Sequence, residues 1–169
     1  MRSFTFTSLF GQTDVVLEVA SYTYNPLSIA ILLKDAEDRT PYTTATVNIG
    51  KYTGNGSVLG PYCAFLDTNN NPTLEEFLIR NHLAKPYTRF GEPVYGASGF
   101  VEYPLYEFDP ELLRQIDPEG CAQYEQEYEK ELRAYQADAD LASYGLDYSW
   151  LEEDLEYTPT DDLEKEPEL

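Results

Sequence analysis

The chain reads as an α+β protein: an antiparallel β-sheet with one packed helix, followed by an acidic C-terminal helical region. Three observations carry this reading. Residues 1–100 alternate apolar and polar side chains in short runs separated by turn residues, the period-two signature of half-buried strands. Residues 73–83 space their apolar positions by three and four instead, as a helix does. Beyond Phe108 the charge changes abruptly. The whole chain has 31 Asp and Glu against 11 Lys and Arg, net −20; residues 1–100 hold nine acids and seven bases, net −2, so −18 falls on residues 101–169.

Taken in order, Phe4 and Phe6, then Val15, Leu17 and Val19, alternate with polar neighbours, and Gly11-Gln12-Thr13 between them predicts a hairpin turn. Ser28–Lys34 is a continuous apolar strand, closed by the turn-like Asp35–Pro41. Thr43–Ile49 is rich in β-branched residues and predicts another strand, and Tyr62–Leu66 a short fifth. Asn69-Asn70-Asn71-Pro72 then breaks the chain. Thr73 is placed to cap a helix, with Glu76 closing a capping box and Leu74, Phe77, Leu78 and Leu83 forming its apolar face. Pro86–Gly99 reads as a loop, and Phe100–Phe108 as a sixth strand.

The remainder reads as helical. Asp109-Pro110-Glu111 and Asp117-Pro118-Glu119 repeat one start signal: an Asp N-cap, Pro in the first helical position and an acid in the first turn. The second opens a long helix to about Ala142, ended by Gly145, with an apolar stripe through Cys121, Tyr124, Tyr128, Leu132, Tyr135, Ala139 and Ala142. At least two of the three tyrosines are expected to pack on the sheet. Ser149 and Glu152 form another capping box, and from Thr158 the chain is rich in acids and poor in apolar residues, which predicts a disordered tail. The expected divisions are a β-rich domain over 1–108, an acidic helical extension over 109–157 and a tail over 158–169.

Composition excludes several functions. A net charge of −20 gives no surplus of cations for a general nucleic-acid binder, and an anionic membrane surface repels it. No apolar h-region opens the chain and no run is long enough to span a bilayer, so a cytoplasmic protein with two free thiols, Cys63 and Cys121, is expected. His82 is the only histidine, and the end of a helix beside Arg80 and Lys85 accounts for it without catalysis. One His and two scattered Cys do not make a zinc site. Asp67-Thr68-Asn69-Asn70-Asn71 opens like a calcium loop, but Pro72 and Leu78 stand where Gly and a bidentate Glu are required. Gly50, Gly54, Gly56 and Gly60 lack the Gly-Lys-Ser/Thr of a phosphate loop. Arg80, Lys85 and Arg89 are the local cationic excess and are expected to balance the chain's own carboxylates. No enzyme, cofactor or metal is expected.

The acidic helix suits a different task. Glu125 and Glu129 are spaced i, i+4, as are Glu127 and Glu131, and Asp138 and Asp140 continue the series. Such like-charge pairs destabilise an isolated helix. A rise of about 1.5 Å per residue sets carboxylates about 6 Å apart, within the range of phosphate spacings on a duplex. An acidic array with interleaved aromatics therefore matches a groove built for nucleic acid, with salt-sensitive association to a basic partner. The first candidates are Glu125, Glu127, Glu129, Glu131, Asp138 and Asp140; the second are Glu152, Glu153, Asp154 and Glu156. The competing explanation is a solvated face that only keeps the chain soluble.

Ser8-Leu9-Phe10-Gly11, Thr46-Val47-Asn48, Asp67-Thr68-Asn69-Asn70 with Pro72, Ser98-Gly99-Phe100 and Tyr103–Phe108 together resemble a family of small proteins of unknown function found on plasmids, conjugative elements and prophages of gut bacteria. The resemblance covers roughly residues 3–115. It implies a mobile-element context, in which small acidic proteins serve as inhibitors of host defence, including anti-CRISPR proteins. The expectation is a non-enzymatic inhibitor whose acidic helices block the nucleic-acid channel of a Cas9-type effector with its guide RNA. The alternatives are a DNA mimic that blocks a restriction enzyme, and a non-inhibitory interaction module of a conjugative element.

Overall fold

The N-terminal alternation folds into a hairpin of β1 (Phe4–Ser8) and β2 (Gly11–Tyr22), with Phe4 opposite Val15 and Phe6 opposite Thr13. This computed structural model describes the backbone of residues 2–53 and 57–165 and the side chains up to Ser143. The turn is Leu9-Phe10 rather than Gly11–Thr13. Ser8 Oγ accepts the Phe10 N–H at 3.1 Å and donates to the Gly11 carbonyl at 3.3 Å, and Gly11 takes φ +136° to begin β2. A serine able to close the turn locally thus moves it two residues earlier than composition suggests.

β3 (Asn25–Asp35) lies between β2 and β4 (Pro41–Thr44), in the order β1-β2-β3-β4. Leu27, Ile29, Ile31 and Leu33 are buried, and so are Ser28 and Ala30 on the opposite face. A strand covered on both faces explains the continuous apolar run. The strand expected over Thr43–Ile49 is divided between two sheets. β4 stays on β3, whereas β5 (Thr46–Val47) pairs with β6 (Cys63–Leu66). The corner is buried Ala45, whose N–H reaches the Ile31 carbonyl at 2.8 Å and whose carbonyl takes the Asp67 N–H at 2.9 Å.

The second sheet has the order β10-β11-β6-β5. The expected loop Pro86–Gly99 is ordered into short strands: β7 (Ala84–Pro86), β8 (Thr88–Arg89), β9 (Glu92–Pro93) and β10 (Tyr95–Ser98). β7 and β10 pair with successive parts of β11 (Val101–Phe108), and the β8–β9 hairpin lies between them in the chain. Strands of two to four residues are too short to show a period. Leu59, Cys63, Phe65 and Leu105 form this sheet's core, against which Val47, Ile49, Tyr87, Val94 and Tyr103 pack.

The first helix, α1 (Leu74–Arg80), buries Leu74, Phe77 and Leu78, and Phe77 meets Phe6 edge-on at 5.0 Å. The expected capping box is not formed. Thr73 is the N-cap residue, but its hydroxyl donates to the Thr7 carbonyl at 2.5 Å, and Glu76 pairs with Arg80. Tethering the loop to β1 takes precedence over capping. Leu83 is buried beyond the helix end, where its N–H reaches the Leu78 carbonyl at 2.9 Å and the His82 N–H reaches that of Ile79 at 3.1 Å. These two bonds define a Schellman ending with His82, at φ +56°, in the position usually held by glycine.

Both Asp-Pro-Glu signals start helices. Asp109 accepts the Leu112 N–H at 3.1 Å ahead of α2 (Pro110–Ile116), and Asp117 accepts the Gly120 N–H at 3.0 Å ahead of α3 (Pro118–Lys165). α3 runs through Gly145 and Ser149, where an end and a restart were expected. An interior glycine costs only about 1 kcal/mol against alanine, too little by itself to end a helix. The helical backbone includes residues 158–165 of the expected tail; residues 166–169 lie outside the described residues. The chain divides into compact units of residues 1–131 and 132–169, not at Phe108. Leu113, Ile116, Cys121, Tyr124 and Tyr128 are all buried, which binds α2 and the start of α3 into the first unit.

Candidate functional site

The acidic helix is held by aromatic residues at its start. Cys121, Tyr124 and Tyr128, three and four apart, form one buried row. The Tyr124 hydroxyl accepts the Tyr62 N–H at 2.9 Å, and the Tyr128 hydroxyl donates to the Leu59 carbonyl at 2.8 Å. The rings of Tyr62 and Tyr124 meet edge-on at 5.0 Å, and those of Tyr124 and Tyr128 lie 5.8 Å apart. Two of the three stripe tyrosines therefore pack on the body. Asp117 accepts the Val19 N–H at 2.9 Å, and a Cβ added to Gly120 would stand 2.4 Å from the Val19 carbonyl oxygen. Only glycine allows that approach.

Glu125 belongs to this anchorage. Its Oε1 accepts the Tyr62 hydroxyl at 2.5 Å and the Arg114 Nε–H at 2.7 Å, and the Arg114 guanidinium lies 5.7 Å from the Tyr62 ring centre. The Tyr62 hydrogen bond, with Arg114 behind it, holds the carboxyl below the usual glutamate range. Burial and the same bond push the Tyr62 hydroxyl upward. Tyr62 itself sits at φ +62°, so backbone strain is held where the helix is pinned. The sequence offered no sign of this cluster, because its members come from three segments and share no spacing.

The other candidates do not share one face. At about 100° per residue, Glu127 and Glu131 fall on one flank of the buried row and Glu129 on the other, with Glu125. Glu129 is exposed, and Glu127 and Glu131 are half-buried. Asp138 and Asp140 are exposed in the second unit, about 160° apart around the axis by the same geometry. Glu152, Glu153, Asp154 and Glu156 lie beyond the described side chains. The acids thus form rows around a helix rather than one strip.

Elsewhere, His82 lines an open cleft of about 760 Å³ together with Lys85, Arg114, Glu107, Asp109 and Glu111. The three cations of the 80–89 stretch contact the protein itself: Arg80 pairs with Glu76, Lys85 stands 3.9 Å from Glu107, and Arg89 donates to the Thr53 hydroxyl at 3.2 Å. The Asn-rich segment is a turn closed by Asp67, whose carboxylate accepts the Asn70 side chain at 2.8 Å. Both cysteines are free and buried; burial pushes the Cys63 thiol up to about 12 and raises Cys121. Neither is activated as a nucleophile. Among the described residues no three His, Cys, Asp or Glu side chains are grouped as a metal site requires, and no helix is long and apolar enough to cross a membrane.

The family described as a domain of unknown function, DUF4313, matches residues 16–128, and the chain belongs to it. The match ends where the buried row of α3 ends, at Tyr128. Neither the curated proteins nor the solved structures contain a match.

Proposed function

We propose that this DUF4313 protein is a non-enzymatic anti-defence inhibitor that engages a basic, nucleic-acid-binding partner through its acidic helix. The effector class we assign is Cas9-type, loaded with its guide RNA. Its positively charged heteroduplex channel and its PAM-reading arginines complement carboxylates. One observation carries the reading: residues 132–169, beyond the first compact unit, hold twelve acids and two bases, net −10. A stretch of chain with that net charge attracts a basic partner over a Debye length of about 8 Å.

We assign the partner-facing role to Glu127, Glu129, Glu131, Asp138 and Asp140, with Glu152, Glu153, Asp154 and Glu156 beyond, and leave out Glu125, whose carboxylate bonds Arg114 and Tyr62. Reversal of Glu127, Glu129, Asp138 and Asp140 to Lys should abolish inhibition of target-DNA cleavage by the effector–guide complex. A folded quadruple variant that inhibits as well as the parent overturns the proposal.

A further inference from the structure

The eight phenylalanines fall into two groups with nothing between. Phe4, Phe6, Phe65, Phe77 and Phe108 are at most 5% exposed, whereas Phe10, Phe90 and Phe100 are 99%, 99% and 108% exposed. Each exposed one sits at a hairpin tip beside a glycine with positive φ: Gly11 at +136°, Gly91 at +79° and Gly99 at +62°. Turns take Gly, Asn and Asp because those residues tolerate the left-handed region and hydrogen-bond locally; a phenylalanine does neither. Phe90 is the sharpest case, since it holds φ +51° itself. A bulky residue there costs about 1 kcal/mol or more, and the exposed ring recovers none of it by burial.

Phe90 and Phe100 also share an origin. The β8–β9 hairpin that carries Phe90 lies between β7 and β10, the two strands that pair along β11, and Phe100 closes the β10–β11 turn. The β8–β9 hairpin is its own two-stranded sheet, joined to the middle of β11 by the Tyr87 N–H to the Leu105 carbonyl and the Leu105 N–H to the Val94 carbonyl, and the Phe100 turn closes the start of β11. Tyr95, 53% exposed at the start of β10, adds a third ring. Exposed aromatics at turns match the aromatic enrichment of the core of protein interfaces.

We propose that Phe90 and Phe100 are apolar anchors that dock the β11 ladder onto a basic protein partner. This rests on the partner class proposed above. The occupant is a protein with apolar pockets in a basic surface, because a net charge of −20 opposes both a second copy of this chain and an anionic lipid surface. The anchors supply affinity at close range, and the acidic helix supplies steering.

The test is binding of the full chain to a purified Cas9-type effector–guide RNA complex, comparing the parent with a Phe90→Asn/Phe100→Ser variant at low and high salt. The expected result is binding weakened at least about tenfold at both salt concentrations, with salt dependence unchanged. Asn tolerates the left-handed region, so the variant should melt no lower than the parent, which separates lost contact from lost fold. Undiminished binding by the variant overturns the anchors alone; no binding by the parent overturns the partner class and the anchors together. Phenylalanine-dependent binding to zwitterionic vesicles, or a dimer in sedimentation that the variant loses, would also overturn the assignment.

Discussion

His82 holds a backbone angle that glycine adopts without steric cost. Its N–H and that of Leu83 close the α1 ending whatever the side chain at this position, so the imidazole contributes nothing to the Schellman bonds. His82→Gly should therefore stabilise the protein by about 0.5–1 kcal/mol and raise Tm by a few degrees, and His82→Val should lower it. A lower Tm for the glycine variant would show that the imidazole makes contacts that stabilise the fold. Glu125 gives a second residue-scale outcome. Its folded pKa is depressed, so the stability it contributes is present above the ordinary glutamate range and is lost as pH falls through the depressed value. Unfolding of Glu125→Gln followed against pH should show weaker acid sensitivity than the parent and a deficit of about 1 kcal/mol near neutrality. Parallel curves would remove Glu125 from the anchorage.

At the scale of elements, the docking of α3 depends on a close approach at its first turn and a tyrosine row after it. Gly120→Ala places a methyl 2.4 Å from the Val19 carbonyl oxygen and against the Asp117 carboxylate that caps the helix. A loss of about 1–3 kcal/mol in denaturant unfolding is expected, and a neutral effect would contradict the observed packing. Tyr124→Phe leaves the buried Tyr62 N–H without its acceptor and should cost a similar amount. The elements most legible in the sequence are those in which local chemistry and tertiary packing agree. Asp109 and Asp117 announce their helices because an Asp-Pro pair satisfies a helix start by itself, and β3 announces itself because both faces are covered. Thr73 misleads because its hydroxyl has a distant partner, the Thr7 carbonyl. The split at Ala45 is equally silent, since the choice between two sheets is made by Ile31 and Asp67. The candidate site follows the same division. The acidity of α3 and its tyrosine stripe are legible from spacing, whereas the diversion of Glu125 to Arg114 and Tyr62 arises from contacts between distant segments.

At the scale of the molecule, the charge has two settings. Residues 1–131 carry nineteen acids and nine bases, net −10, and residues 132–169 carry the other −10 in 38 residues. Among the described residues of the first unit, Glu18, Glu76, Glu107 and Glu125 have cationic partners within 4.0 Å. The excess on the second unit is the part we propose to meet the partner. A chain ending at Glu131 retains the buried core through Tyr128, so it should unfold cooperatively while losing most of the proposed inhibition of the effector. Full inhibition by that truncated chain would move the active surface onto the first unit. The most direct test of the account is the affinity of the full chain for the effector–guide RNA complex as a function of salt. An interaction led by carboxylates should weaken about tenfold or more between roughly 50 and 200 mM salt. Tight binding with an affinity that does not change over that range would contradict it.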